Sequence, residues 1–313
     1  MSSTNRIDFS IRPNKSIERS IVFDSLREYL TVSKLRNTAY VGFGSVWFAD
    51  FVLAHKRLKI SKMVSIERDP VTASRALFNC PYRFLKIEEG KSGDVLPELL
   101  NREGFRASPW IVWLDYDGFL CEDMLDDIYL ILNRVPPDSA LLVTFNVQSG
   151  AYGEQTKDRR ETLQDLFPEV DIDEKELNTN TSFSRVIQQL LIDEMVASTS
   201  KRSRDGIAVP AFNMSYKDTR WMGTVGVLLP RASKTDSIRE LVSKPSWRGM
   251  PKEPIDTPLL TSREVAVLQS QLPRPGGLTE RQVRKLGFDL EQARIDAYVK
   301  YYADYPTFVQ VGP

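Results

Sequence analysis

Residues 39–51 read AYVGFGSVWFADF and mark the change from strand to helix on which the predicted fold depends. A short apolar run ends in Gly42-Phe43-Gly44-Ser45, and an aromatic segment with helical spacing follows. A strand that ends in Gly-x-Gly lets the backbone approach a ligand without Cβ clashes, and the next helix points its free N–H groups at that ligand. These four residues are therefore candidate ligand contacts, and a tight turn without a ligand is the alternative.

An acidic residue ends the next apolar run, which is the pattern of a ribose-binding site. Glu67 closes MVSIE, 25 residues after Gly42, and a carboxylate at the end of a second strand can hold both ribose hydroxyls. The adjacent Arg68 is a further candidate contact, with a solvated side chain as the alternative. In a dinucleotide-binding fold a third glycine packs beneath a pyrophosphate, and Trp47 occupies that position here. The bulky indole disfavours a nicotinamide-dependent dehydrogenase.

Strand-like and helix-like segments alternate through the first half of the chain. A helix is predicted over residues 14–30, and five apolar runs follow it: TAYVGF, KMVSIE, RFLKIEEG, WIVWLDYD and ALLVTFNV. Residues 207–218 and 220–230 predict two further strands that pair with each other. The pattern indicates an α/β fold with a doubly wound, mostly parallel Rossmann-like sheet and an antiparallel edge hairpin.

The chain is predicted to have two parts. Residues 1–230 form the Rossmann-like domain, in which the polar segment at about 151–206 is interpreted as a helical insertion or lid. Residues 231–313 form a linker and a helical C-terminal extension, with helices expected at 261–272 and 279–305. Within the last helix Tyr298, Tyr302 and Tyr305 share a face, and such a stripe usually belongs to the core.

Composition excludes several classes of site. The 313 residues include 42 basic and 42 acidic side chains, so net charge disfavours a nucleic-acid partner without excluding one. Two cysteines and the single His55 cannot supply a disulfide framework, a multi-cysteine zinc site or a histidine-rich metal site. Neither a signal peptide nor an apolar run of eighteen residues is visible. We therefore expect a soluble, cytoplasmic protein with no membrane partner.

The order of these motifs resembles the class I S-adenosylmethionine-dependent methyltransferases over roughly residues 15–230. VGFGS is similar to that family's first motif, whose glycines face the methionine part of the cofactor, and Glu67 matches the ribose-binding acid. EEGKSGDVLP resembles the loop after the third strand and puts Asp94 at the adenine amino group. IVWLDYDG resembles the fourth strand, where Asp115 or Asp117 would stand beside the transferable methyl. The resemblance implies S-adenosylmethionine as cofactor.

One position departs from that family's pattern. The residue before VGFGS is often acidic in the family, but Ala39 and Tyr40 stand here, so the cofactor's amino group would need another partner. Arg12 and Lys15 lie near the start of the first helix, which in related folds borders both the cofactor carboxylate and the acceptor. Both are candidate counter-charges and substrate contacts, and an exposed N-terminal turn is the alternative.

Two aspartates one residue apart carry the predicted chemistry. In a continuing strand Asp115 and Asp117 would face the same side, where crowding raises one pKa or binds a cation. The alternative is that one caps the loop and the other is solvated. Some O-methyltransferases hold magnesium with an aspartate here and an Asp-Asn pair after the fifth strand, but this chain has Phe145-Asn146. We therefore predict no metal and keep Asn146 as a candidate substrate contact.

The leading hypothesis is an O-methyltransferase type of enzyme that passes a methyl group from S-adenosylmethionine to an oxygen or nitrogen of an unknown acceptor. Asp117 would act as the base, with Asp115 beside it. The alternative is a catalytically silent module of the same fold that binds a nucleotide-type ligand, a protein partner, or both. Such a partner would bind through the insertion or the C-terminal helices.

Overall fold

One seven-stranded sheet organises the computed structural model, which describes residues 12–35, 37–200 and 207–306. Its strands are β1 (Ala39–Gly42), β2 (Lys62–Glu67), β3 (Leu85–Glu89), β4 (Trp110–Phe119), β5 (Ser139–Asn146), β6 (Val209–Lys217) and β7 (Trp221–Leu229). They lie in the order β3-β2-β1-β4-β5-β7-β6, with β1 to β5 parallel and β7 antiparallel to both of its neighbours. The predicted doubly wound sheet with an antiparallel edge hairpin is confirmed.

Helices cover both faces of this sheet. They are α1 (Pro13–Val32), α2 (Ala49–Leu58), α3 (Pro70–Asn79), α4 (Ser92–Asn101), α5 (Glu122–Arg134), α6 (Thr156–Leu166), α7 (Asn180–Thr199), α8 (Thr235–Ser243), α9 (Ser262–Gln269), α10 (Glu280–Lys285) and α11 (Gln292–Tyr301). None of these described helices combines the length and the apolar character that crossing a membrane requires.

The sheet separates two hydrophobic cores. On one face α1, α2 and the C-terminal helices pack against strand residues such as Tyr40 and Trp113. On the other face α4, α5 and α7 pack against the strand residues that alternate with these along each strand, such as Val41 and Val112. Because the central strands are buried on both faces, each reads in the sequence as a continuous apolar run.

The segment between β5 and β6 contributes to the helical layer on one face of the sheet. Its long helix α7 buries Phe183, Ile187 and Leu191 in the core that α4 and α5 share. These residues recur with helical spacing, so one face of α7 is committed to the sheet. This differs from the predicted lid, because a helix held in this way covers the sheet and not the site.

The C-terminal segment differs from its prediction in two ways. Helix α8 lies where no helix was predicted, and the helix expected over 279–305 is divided into α10 and α11. The break falls at Gly287, whose φ of 107° belongs to the left-handed region that glycine tolerates. The rings of Tyr298 and Tyr305 lie 5.2 Å apart and are both buried, which confirms the core interpretation of the tyrosine stripe.

Asn14 joins the first helix to the C-terminal segment. Its Nδ2 donates to the carbonyl oxygen of Lys217 at 2.7 Å, and its Oδ1 accepts from the N–H of Thr257 at 2.9 Å and from the Thr257 hydroxyl at 2.8 Å. Residues of α8 to α11 also share a hydrophobic core with α1. The division at residues 230 and 231 therefore stays a proposal, and residues 1–11 and 307–313 of the two predicted parts lie outside the described chain.

We expect Asn14→Ala to lower the free energy of unfolding by about 2–4 kcal/mol, because it removes three hydrogen bonds and leaves buried partners unpaired. Asn79→Ala is the control, since Asn79 is exposed and donates to the carbonyl of Arg75, four residues earlier in the same helix. The control should change stability by less than about 0.5 kcal/mol. Chemical denaturation measures the free energy of unfolding of both variants. Equal losses would show that the hydrogen bonds of Asn14 contribute no more to stability than that of an exposed asparagine.

Candidate functional site

The carboxyl ends of β1, β2, β3 and β4 border a cleft of about 980 Å³. The strand order reverses between β1 and β4, and ligands of open α/β sheets bind in the crevice at such a point. Six of the predicted site residues line the cleft: Phe43, Glu67, Arg68, Asp94, Asp115 and Asp117. The other six lie outside its lining: Gly42, Gly44, Ser45, Arg12, Lys15 and Asn146.

The two glycines after β1 make room for the protein's own atoms. A Cβ on Gly42 would lie 2.8 Å from the carbonyl oxygen of Trp113. A Cβ on Gly44 would lie 2.6 Å from the ring of Phe48 and 2.7 Å from the hydroxyl oxygen of Ser65. Close packing of strand, ring and turn thus accounts for both glycines, and their contact with a ligand stays a prediction.

The turn between β1 and α2 is tightly specified. Ser45 and Phe48 both adopt the left-handed conformation, with φ of 49° and 51°. Phe48 is buried and comes directly before α2, whereas Trp47 is 46% exposed. The indole that stands at the third-glycine position therefore points away from the core.

Glu67 holds this turn from the end of β2. Its carboxylate accepts a hydrogen bond from the Ser65 hydroxyl at 3.1 Å and further ones from the backbone of Gly44 and Ser45. The Gly44 N–H also donates to the Ser65 hydroxyl at 2.9 Å. Burial raises the pKa of Glu67, and these hydrogen bonds oppose the rise. Glu67 therefore has a structural role as well as a place in the cleft, and ribose binding stays a prediction.

Lys15 is committed to an internal ion pair. Its Nζ lies 2.8 Å from Oε2 of Glu18 and 2.9 Å from Oδ1 of Asp115. Burial lowers the pKa of Lys15, but the two carboxylates outweigh burial and raise it well above its ordinary value. The ammonium of Lys15 is buried and paired with two carboxylates, and its role as a counter-charge for the cofactor and as a substrate contact stays a prediction.

The strand that carries the two aspartates is irregular at its end. Asp115 lies opposite Thr144 of β5 and Phe119 lies opposite Asn146, so β4 advances four residues while β5 advances two. Across such a shift, the alternation of side chains along a regular strand no longer predicts on which face Asp117 lies relative to Asp115. Both residues nevertheless line the cleft. Asp115 is tied to Lys15, whereas Asp117 is exposed. In the described part of the chain, no three histidine, cysteine or acidic side chains group as a metal site.

Among the cleft residues that the sequence analysis did not name, three form a hydrogen-bonded network: Ser92, Tyr116 and Asp127. Asp127 is buried, and its Oδ2 accepts hydrogen bonds from the Ser92 hydroxyl and from the Tyr116 hydroxyl, the latter at 2.7 Å. Burial raises the pKa of Asp127, and these two bonds oppose the rise. The ring of Tyr116 packs edge-on against Phe43 with centroids 5.1 Å apart.

A signal for Asp127 is present in the sequence. Helical spacing puts Asp127 on the apolar face of α5, between Met124 and Ile131. A carboxylate on a buried face needs hydrogen-bond donors, so this position could have been identified as functional or networked.

The remaining predicted contacts have local partners. Arg12 precedes α1 and lies near Asp218, whose pKa is raised by burial and lowered by Arg12. Asn146 ends β5, and its Oδ1 accepts from the N–H of Gln148 at 2.8 Å. Asp94 is exposed in the first turn of α4 at the cleft. Substrate contact by Arg12 and Asn146 stays a prediction.

Several solved structures resemble the chain in general architecture. An O-methyltransferase from Bacillus cereus in complex with SAH is 14% identical, with a TM-score of 0.37, and the match covers 66% of this chain and 80% of that one. The O-methyltransferase TomG from Streptomyces achromogenes in complex with SAM is 17% identical, with a TM-score of 0.39 and coverage of 72% and 91%. Trm1 from Pyrococcus horikoshii with S-adenosyl-L-methionine is 12% identical, with a TM-score of 0.48 and coverage of 72% and 57%. Similarity at this level says nothing about ligand or activity.

The sequence itself gives the stronger comparison. No curated protein matches it. A protein family described as "Putative O-methyltransferase" matches residues 7–313, which is nearly the whole chain. The chain belongs to this O-methyltransferase family.

Proposed function

We propose that this protein transfers a methyl group from S-adenosylmethionine to an oxygen or nitrogen of an acceptor molecule. Membership of the O-methyltransferase family supports methyl transfer. The observation that carries the proposal is the cleft at the reversal of strand order, which has carboxylates at three successive strand ends. Glu67 is the last residue of β2, Asp94 follows β3, and Asp115 and Asp117 lie in the last part of β4.

The donors and acceptors of the cleft suit this cofactor. A carboxylate at Glu67 matches a pair of ribose hydroxyls, and Asp94 in the first turn of α4 matches an exocyclic amino group. The rings of Phe43 and Tyr116 offer apolar surface to a base. When bound, S-adenosylmethionine supplies a methyl group on a positively charged sulfur.

Asp117 is the better candidate for accepting a proton from the acceptor. Its carboxylate lies at the exposed end of β4, where an incoming hydroxyl or amine can reach it. Asp115 already accepts from the Lys15 ammonium and is therefore suited to a fixed electrostatic role. Most of the rate would come from holding acceptor and methyl donor together in line.

A silent module that holds a protein partner is the second candidate. One observation favours it: α3 exposes Val71, Leu77 and Phe78, and the Phe78 side chain is 91% exposed. Apolar side chains exposed together on one helix are typical of interaction surfaces. The cofactor and transfer measurements below distinguish this candidate from the enzyme.

We expect the wild-type protein to bind S-adenosylmethionine and S-adenosylhomocysteine in calorimetry, and not NAD. Asp127→Asn should weaken both ligands alike, by about 1–3 kcal/mol, because Tyr116 and Ser92 lose their ionised acceptor. Asp126→Asn is the matched control, since Asp126 also lines the cleft but is exposed. Equal losses in the two variants would mean that only charge matters and that the Asp127 hydrogen bonds do not shape the cleft.

Asp117→Asn keeps the shape of the side chain and removes its charge. Turnover should fall by about 100-fold or more, which is the range of general base catalysis, while cofactor affinity changes less than about threefold. Transfer of labelled methyl to lysate fractions of protein, RNA, DNA and metabolites measures turnover. Asp123→Asn, at another acid of the cleft lining, is the control.

Transfer that persists in Asp117→Asn would remove Asp117 from the mechanism. If the wild-type protein neither transfers methyl to any fraction nor binds the cofactor, the silent module is the correct function.

A further inference from the structure

A buried chain of hydrogen bonds runs beneath the cleft across three strands to α1. The indole Nε1 of Trp113 in β4 donates to the Thr144 hydroxyl in β5 at 2.9 Å. The hydroxyl oxygens of Thr144 and Thr224, which lies in β7, are 2.6 Å apart. The Thr224 hydroxyl then donates to Oε1 of Glu18 in α1. All four side chains are buried.

This chain of hydrogen bonds ends on Glu18. An indole N–H can only donate, so the Thr144 oxygen accepts from Trp113, and the Thr144 hydroxyl can in turn donate to Thr224. The Thr224 hydrogen is then directed at Oε1 of Glu18, while Oε2 lies 2.8 Å from the Lys15 ammonium. Burial raises the pKa of Glu18, and Lys15 opposes the rise. The hydrogen bond to Oε1 and the ion pair at Oε2 favour the ionised form, which burial opposes.

The group formed by Lys15, Glu18 and Asp115 carries a surplus negative charge. One ammonium lies between two carboxylates, so one negative charge is left over, and Asp115 presents it to the cleft.

Among the described residues, two cations near this group are each matched by a carboxylate. Arg19 lies against Glu18 and Asp115 but is paired with Asp50, and both side chains are buried. Arg12 lies near Asp218, which adds one positive and one negative charge. The aromatic groups that face Lys15 are Tyr216 and Trp113, and burial raises the pKa of Tyr216, which keeps it neutral.

We propose that this buried charge makes the cleft discriminate between the positively charged sulfonium of the cofactor and the neutral thioether product. Glu18 and Lys15 act as positioning residues that set the charge and orientation of Asp115. The inference rests on the proposed function.

The charge on the cofactor's sulfur changes during methyl transfer, and with it the attraction between the cofactor and the group formed by Lys15, Glu18 and Asp115. The bond between methyl carbon and sulfur breaks as the bond from carbon to the acceptor oxygen or nitrogen forms. The electron pair of the broken bond stays on sulfur, and the acceptor's proton passes to the base or to water. Sulfur loses its positive charge in this step, so its attraction to the surplus charge disappears and exchange of the product for fresh cofactor is favoured.

The test compares affinities for S-adenosylmethionine and S-adenosylhomocysteine, measured by calorimetry on the full chain. Glu18→Gln removes the surplus charge at a side chain too deeply buried to touch a ligand in the cleft. We expect the affinity ratio of methylated to demethylated cofactor to fall about tenfold, through loss of the methylated form. Glu18→Asp keeps the charge and should leave the ratio within about twofold of wild type.

Asp138→Asn is the matched control. Asp138 is also a fully buried carboxylate in an ion pair, with Arg231, but it lies at the amino end of β5, whereas the cleft lies at the carboxyl ends of the parallel strands. The same loss of charge there should leave the ratio unchanged. If Glu18→Gln does not fold, Asp115→Asn removes the same charge from a side chain that is 21% exposed and should lower the ratio in the same direction.

The outcomes separate this inference from the proposed function. A folded Glu18→Gln protein that keeps the wild-type ratio would overturn the inference and leave the proposed function standing. An equal fall of the ratio in Asp138→Asn would also overturn it, since the position of the charge would not matter. Failure of the wild-type protein to bind either compound would overturn the proposed function itself.

Discussion

The Lys15 ammonium is the constraint on which the geometry of the site depends. Moving an ammonium from water into a protein interior costs free energy. Glu18 and Asp115 compensate that desolvation cost only if α1 and β4 keep their relative positions. Loss of one partner from such a buried pair costs about 3–5 kcal/mol, because the remaining charge stays buried. The first helix is thus held at the strand end where the cleft begins, and the orientation of Asp115 follows from it.

At the glycine turn, too, one carboxylate both holds the backbone and lines the cleft. Glu67 fastens the backbone of Gly44 and Ser45 to the end of β2 and also faces the cleft. A carboxylate with two such tasks connects the shape of the turn to whatever occupies the cleft. Asp127 has a comparable position on the other side, since it fixes the hydroxyl of Tyr116, whose ring forms part of the lining.

Local patterns in the sequence predict the sheet well and the site less well. Strands β1, β2 and β5 and the first half of β4 are buried on both faces, so each appears as an apolar run that can be recognised without knowing its neighbours. Acids at the strand ends could be placed for the same reason, because parallel strands end at one edge. The pairing of Lys15 with Asp115 spans 100 residues and has no local signal. The division between α10 and α11 depends on the backbone conformation of Gly287, which helical spacing does not show.

The junction at Asn14 has a consequence for the order in which the protein is made. Thr257, the partner of Asn14, is synthesised 243 residues after it. The Ser20 hydroxyl likewise donates to Asp304 across 284 residues. The first helix therefore lacks these partners until the segment that carries Thr257 and Asp304 has been synthesised. Contacts of such long sequence separation slow folding and leave apolar surface exposed in the meantime, so the nascent chain should depend on chaperones until that segment emerges.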